Sequence, residues 1–267
     1  VPLPPTLQAS SAVTTPFQHL VLTSNGAVWM NSLGLWRLKD GLWTFPGVLR
    51  GLPLTAGSPT ALHARDNTVW AGYTGDTISR IEEPDLTTRV YAAMDGLAVG
   101  NTLAMADSTH GLWVAGDGGL QLLRSDGFIS LTGVGGERFA NITGMAERPG
   151  GELWLNGVSG LFRIDSADMA AWLRDPDRPV AFELMDERDG RTGSPLSYRA
   201  NSLVAGKDDR LWVGSDRELA FIDPDRVVRN RVAPVVVIDS INGEAPGAVP
   251  LALGKRVTRA DIAFTAP

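Results

Sequence analysis

The residues best suited to holding a ligand sit in one segment, DERDGRTGSPLSYRAN (186–201). Arg188, Arg191 and Arg199 offer paired N–H donors that match a carboxylate, and Tyr198 adds an aromatic platform with a hydroxyl. That set suits a carboxylated or sugar-like ligand, with Tyr198 and Arg199 nearest to it. The tools of catalysis are sparse by comparison. With no Cys in the sequence, thiol chemistry, disulfides and Cys-built zinc sites are excluded. The nucleophile elbow G-x-S-x-G does not occur. The three His, at 19, 63 and 110, give little material for a metal centre. Without a contiguous Asp-x-Asp-x-Asp loop there is no calcium signature. The acidic turn residues Asp66, Asp107, Asp208 and Asp209 are read as turn formers that bond nearby backbone N–H groups. The acidic pairs Glu82–Glu83 and Asp186–Glu187 are read as solvated turns. No catalytic residue, metal site or cofactor is expected.

The elements that must position the 186–201 segment follow from a repeat. Five segments align on one tryptophan: NGAVWMNSLGLWRL, DNTVWAGYTGDTISRI, THGLWVAGDGGLQLL, GGELWLNGVSGLFRI and DDRLWVGSDRELAFI. Their anchors, Trp29, Trp70, Trp113, Trp154 and Trp212, are spaced 41, 43, 41 and 58 residues apart. The last interval carries an insertion of roughly 16 residues between Ile164 and Asn201. An alternating run precedes each Trp: 17–23, 58–64, 101–107, 141–147 and 201–207. His19 and His63 fall in two of these runs. A turn rich in Asp, Asn and Gly leads into the Trp strand, and a second turn leads into a third strand. A fourth run closes several units: GLWTFP, TTRVYAA, GFISLT and VAFELM. Four short antiparallel strands per unit of about 42 residues make one blade of a β-propeller. Each indole is expected in a buried middle strand, packed on the neighbouring blade.

The fold class is therefore all-β, with propeller blades over 17–230 after a loop-like segment at 1–16. Five blades are visible, read as part of a larger ring, because VPLPP resembles an interblade loop. Helical periodicity occurs once, in DSADMAAWLRD (165–175), where Asp165 or Ser166 can cap and Met169, Trp172 and Leu173 share a face. It is placed between the third and fourth strands of blade four. Residues 231–267 combine the β-branched run Val235–Ile238, an Asn242–Gly243 turn and a strand near Asp261–Phe264. They read as the opening of a β-sandwich module. In such a ring the connections between blades lie at the channel mouth. The turns Thr74–Asp76, Asp117–Gly119 and Asn156–Ser159 are expected to share that face with 186–201.

Composition narrows the partners. The 24 Lys+Arg and 30 Asp+Glu give a net charge of −6, which argues against a nucleic-acid surface. No apolar run is long enough for a membrane helix, and residues 1–16 lack the pattern of a signal peptide.

HGLWVAGDGGLQLL and GGELWLNGVSGLFRI resemble the repeat of two-component regulator propellers, whose consensus is an acidic turn, Gly, Leu-Trp-small-Gly-Thr, then Gly-Leu and an apolar strand. DDRLWVGSDRELAFIDPDRV is similar to that family's last blade, and DGLAVGN (95–101) to its interblade loop. The tail APVVVIDSINGE…LALGKRVTRADIAFTAP resembles the start of the β-sandwich module that follows such propellers and precedes the membrane helix. NSLGLWRL and YTGDTISRI depart from the glycine pattern. The resemblance covers about 17–267. It implies the periplasmic sensor region of a membrane histidine kinase or related receptor, without catalysis in this chain. It also implies a small-molecule or oligosaccharide cue and a homodimer. A protein-interaction propeller and a propeller lyase remain the alternatives.

Overall fold

The computed structural model describes residues 19–32, 34–45, 52, 57–125, 127–195, 201–227, 236–245, 247 and 259–265. The chain divides into two compact units, Val1–Pro224 and Asp225–Pro267. The first contains five antiparallel meanders in chain order. β1 His19–Leu22, β2 Val28–Asn31, β3 Leu35–Lys39 and β4 Leu42–Thr44 form blade 1. β5 Ala61–Arg65, β6 Thr68–Gly72, β7 Ile78–Glu82 and β8 Thr87–Tyr91 form blade 2. Blade 3 comprises β9 Thr102–Ser108, β10 Gly111–Gly116, β11 Leu120–Arg124 and β12 Gly127–Ser130. Blade 4 comprises β13 Ile142–Glu147, β14 Leu153–Gly157, β15 Gly160–Ile164 and β16 Glu183–Met185. Blade 5 shows three strands among the described residues: β17 Leu203–Ala205, β18 Leu211–Gly214 and β19 Leu219–Ile222. The first strands stand side by side in chain order, β1 on β5, β5 on β9, β9 on β13 and β13 on β17. This is the all-β propeller architecture that the repeat requires.

Register explains why one Trp per unit suffices as an anchor. Trp29, Trp70, Trp113, Trp154 and Trp212 all lie on second strands, opposite Val21, His63, Ala106, Ala146 and Val204 of the first strands. The Trp face of one blade packs on the other face of the next. Trp29 clusters with Leu62, Val69 and Ala71 of blade 2, and Trp70 with Met105, Leu112 and Val114 of blade 3. Trp113 clusters with Met145, Leu153 and Leu155 of blade 4. Burying one such indole contributes on the order of 5 kcal/mol before entropy is subtracted. The first four anchors are buried. Trp212 departs from the expectation. It is only partly covered, and its in-plane neighbours Val204 and Phe221 are exposed, because among the described residues no further sheet of the first unit lies over that face. The reverse face of blade 1, with Leu20 and Leu22, is exposed for the same reason.

The inserted helix, α1 (Ser166–Arg174), lies between β15 and β16, with Asp165 accepting a bond from the Ser166 N–H. Met169 and Trp172 are buried in the core of blades 3 and 4, and Trp172 stacks on Trp113 with centroids 5.7 Å apart. In the second unit, β20 Val237–Ile241 pairs antiparallel with β21 Ile262–Thr265. Asn242 and Gly243 take positive φ at the expected turn.

Candidate functional site

In a four-stranded meander the turns after strands two and four leave from one end, and those after strands one and three from the other. At the first end, hydrogen bonds tie the connections between blades 2 and 3 and between blades 4 and 5 to neighbouring turns. The Gly100 N–H donates to Asp76 Oδ1 at 2.5 Å, and the Asn101 N–H to Asp117 Oδ1 at 2.8 Å. The Ser194 N–H donates to Asp216 Oδ1 at 2.9 Å. A carboxylate in a tight turn thus satisfies the backbone of the adjoining loop, as the composition of these turns suggests.

Of the four residues singled out in the 186–201 segment, two lie among those described. Arg191 reaches blade 4, where its Nη2 donates to Gly157 O at 2.9 Å and Asn156 Oδ1 at 3.3 Å. Burial pulls its pKa below the ordinary guanidinium value, and Glu187 partly offsets that. It stays cationic at working pH. Arg191 lines a cavity of about 240 Å³ between blades 4 and 5, together with Leu161, Met185, Val213 and Phe221. Arg188 is exposed and does not line that cavity; its backbone N–H donates to Asp186 in a one-turn 3-10 segment. Tyr198 and Arg199 lie outside the described residues.

At the opposite end, sequence reasoning missed a larger cleft. It measures about 450 Å³ between blades 2 and 3, and Arg65, Arg80, Arg89 and Arg124 line it beside Trp70 and Tyr91. The Arg80 guanidinium lies 5.7 Å from the Trp70 ring centroid, and that of Arg89 lies 4.4 Å from Tyr91. Arg80 and Arg89 are direct cross-strand partners on β7 and β8. The signal was present in the alternation of SRIE and TTRVY, which puts both Arg on the Trp70 face once the register is known.

Two readings of polar residues need correction. Glu83 is no solvated turn residue: it is buried, accepting from Trp29 Nε1 at 2.8 Å and from Arg37 at 2.6 and 2.7 Å. Asp107 is in strand β9 and contacts His63 Nε2 at 3.0 Å across two blades. His19 and His63 both lie in first strands, as read from the sequence, at different registers: His63 opposes Trp70 and His19 opposes Asn31, two positions beyond Trp29. His19 is buried, and burial lowers its pKa.

No family model and no curated protein matches this sequence. Solved structures do. The extracellular domain of BT3049 from B. thetaiotaomicron, assigned to a hybrid two-component system, superposes with a TM-score of 0.62 at 15% identity, over 92% of this chain and 32% of that one. PorZ, a surface component of the type-IX secretion system of Porphyromonas gingivalis, gives 0.55 at 15% identity over 79% of this chain and 32% of its own. YCF48, solved with a D1 peptide, gives 0.52 at 14% identity over 78% and 65%. The chain spans about a third of the length of BT3049 and PorZ. At these identities the likeness is one of fold, and that fold is a β-propeller.

Proposed function

We propose that this chain is the extracytoplasmic, ligand-sensing region of a two-component receptor. It acts by binding rather than by catalysis and is located in the periplasm. The observation that supports this reading most is the extent of the BT3049 match. It takes in 92% of the chain at a TM-score of 0.62, and the neighbour is an extracellular domain of such a system. Among the described residues no helix is long and apolar enough to cross a membrane. The ligand face is the end bearing Arg191, which is anchored to blade 4 through Nη2 and brings a cation to the 240 Å³ cavity, where it attracts a carboxylated ligand. The ligand class is a small molecule or oligosaccharide, and signalling runs through a homodimer.

A ligand that binds the native state must raise its melting temperature. The test is a thermal-shift screen of acidic and neutral oligosaccharides on the chain and on Arg191→Ala. The expected result is a concentration-dependent rise for at least one saccharide that is reduced in Arg191→Ala. A rise of equal size in both proteins overturns the placement of the ligand, and no rise with any saccharide overturns the sensing of sugars.

A further inference from the structure

The cleft between blades 2 and 3 lies at the end of the blades away from Arg191. Its walls come from the β5–β6 hairpin (Arg65, Asp66, Thr68), the β9–β10 hairpin (Asp107, Gly111) and the end of β11 (Leu123, Arg124). Four Arg and two Asp line it, and even with Glu82 paired to Arg80 the local balance is positive in a chain whose net charge is −6. Direct cross-strand pairing of Arg80 and Arg89 is unfavourable, since like charges placed opposite each other repel. Arg80 has one carboxylate neighbour, Glu82 of its own strand at 2.6 Å, and both side chains of that pair are substantially exposed. The Arg80 Nε–H is nonetheless buried without a hydrogen-bond partner.

The same position in other blades is closed. Arg37 and Arg163 also stand opposite their Trp in the third strand, and each is held by a buried carboxylate, Glu83 and Glu152 respectively. Blade 2 has the cation without that buried counter-ion. The rings of Trp70 and Tyr91 lie within cation–π distance of the two guanidiniums, which favours keeping both charges in the cleft. A cleft of 450 Å³ is within the size range of small-molecule sites. We infer that the cleft between blades 2 and 3 is an anion-binding site, the ligand's carboxylate or sulfate held between Arg80 and Arg89 with Arg65 at the rim; that the ligand carrying this group is a small saccharide rests on the function proposed above.

This site is independent of the one at the 186–201 segment, and calorimetric titration of the full chain at low ionic strength separates them. The probes are digalacturonate, a sulfated disaccharide and a neutral disaccharide of equal size. The expected result is saturable 1:1 binding of at least one of the two anions and none of the neutral sugar. Binding should weaken at least tenfold in Arg80→Gln and in Arg89→Gln, and persist in Arg191→Ala. Carboxylate and sulfate are separated by which anion binds more tightly. Should either charge-removing variant fail to fold, Arg65→Gln at the exposed hairpin reads the same site with a several-fold loss. The inference is overturned if neither anion saturates or if the neutral sugar binds equally well. It is equally overturned if the folded cleft variants bind like the parent.

Discussion

The Glu83 carboxylate is the perturbation with the largest expected effect on the first pair of blades. It accepts from the Arg37 Nε–H at 2.7 Å and Nη2–H at 2.6 Å, from Trp29 Nε1–H at 2.8 Å and from Asn25 Nδ2–H at 3.4 Å. The Glu83 side chain is 0% exposed and that of Arg37 14%. Glu83→Ala strands a largely covered cation and leaves an indole N–H in the core without its acceptor. Removing one partner of a buried pair costs about 3–5 kcal/mol, and the stranded donor lies within that sum rather than adding to it. For a domain of this size that is a fall in melting temperature on the order of 10 °C. Glu83→Gln, which keeps an acceptor for Trp29, should lose about half as much. Arg37→Met combined with Glu83→Leu should recover part of the loss, because an apolar pair needs no counter-charge while the Trp29 N–H still lacks its acceptor.

The pH dependence carries a definite sign. Burial alone would raise the Glu83 pKa; the bonds from Arg37, Trp29 and Asn25 outweigh it and hold the pKa below the usual carboxylate value of 4.5. A depressed acid contributes stability that is complete above the unfolded-state pKa and is lost as pH falls through the folded one. In urea unfolding followed by Trp fluorescence, the gap between parent and Glu83→Ala should be full at pH 7 and close progressively below about pH 4. A gap under about 1 kcal/mol at pH 7, or one unchanged at pH 3, refutes the account of Glu83 as a buried counter-ion.

His19 is buried, and its Nε2 has no hydrogen-bond partner. Burial keeps its pKa below 6.5, so its contribution is lost as pH falls from about 6.5 towards the lower folded value. His19→Gln should therefore flatten the stability-versus-pH curve in that window, read from urea midpoints. A Cβ at Gly116 would sit 2.1 Å from Val99 O and 2.6 Å from Asn101 O. Gly116→Ala should cost about 2 kcal/mol or more through overpacking against immobile backbone, and an unchanged midpoint would contradict the close approach. Trp172 is fully buried against Trp113. Trp172→Ala should cost about 3–5 kcal/mol in the same assay, and a loss under about 1 kcal/mol would mean that the inserted helix is not part of the core.

What the sequence made legible was local. Trp29, Trp70, Trp113 and Trp154 are buried where the repeat puts them, and Met169 and Trp172 mark the buried face of α1, because both signals reside within a dozen residues. Burial of Trp212 was not legible, since it depends on whether a further sheet covers its face. Glu83 was misread for a different reason: it serves Trp29 and Arg37, 54 and 46 residues earlier in the chain, and nothing in IEEPD distinguishes it from Glu82. The cleft between blades 2 and 3 escaped notice for want of register. Arg80 and Arg89 become neighbours only when β7 and β8 pair as they do, and a slip of one residue would send Arg89 to the other face. Arg191 was singled out by type, and its bonds to blade 4 required coordinates.

The residue opposite the anchor in the third strand offers a final test of how one scaffold position serves both stability and binding. It is Arg37, Arg80, Leu122, Arg163 and Phe221 in blades 1 to 5. Blades 3 and 5 use apolar side chains there, and blades 1 and 4 neutralise the cation with a buried Glu. If blade 2 keeps its charge for an anion, supplying a second carboxylate besides the exposed Glu82 should trade binding for stability. Arg89→Glu does this at the cross-strand neighbour. It replaces a like-charge contact by an opposite-charge one, each worth about 0.2–1 kcal/mol, and gives up the stacking of Arg89 on Tyr91, worth about 0.5–1 kcal/mol. The net expectation is a gain of about 0.5 kcal/mol over the parent, with Arg89→Gln close to the parent, together with loss of acidic-saccharide binding. Urea midpoints that rank Arg89→Glu below Arg89→Gln would show that the Arg80–Arg89 repulsion is already relieved within the protein, and would leave blade 2 with no reason to hold an anion.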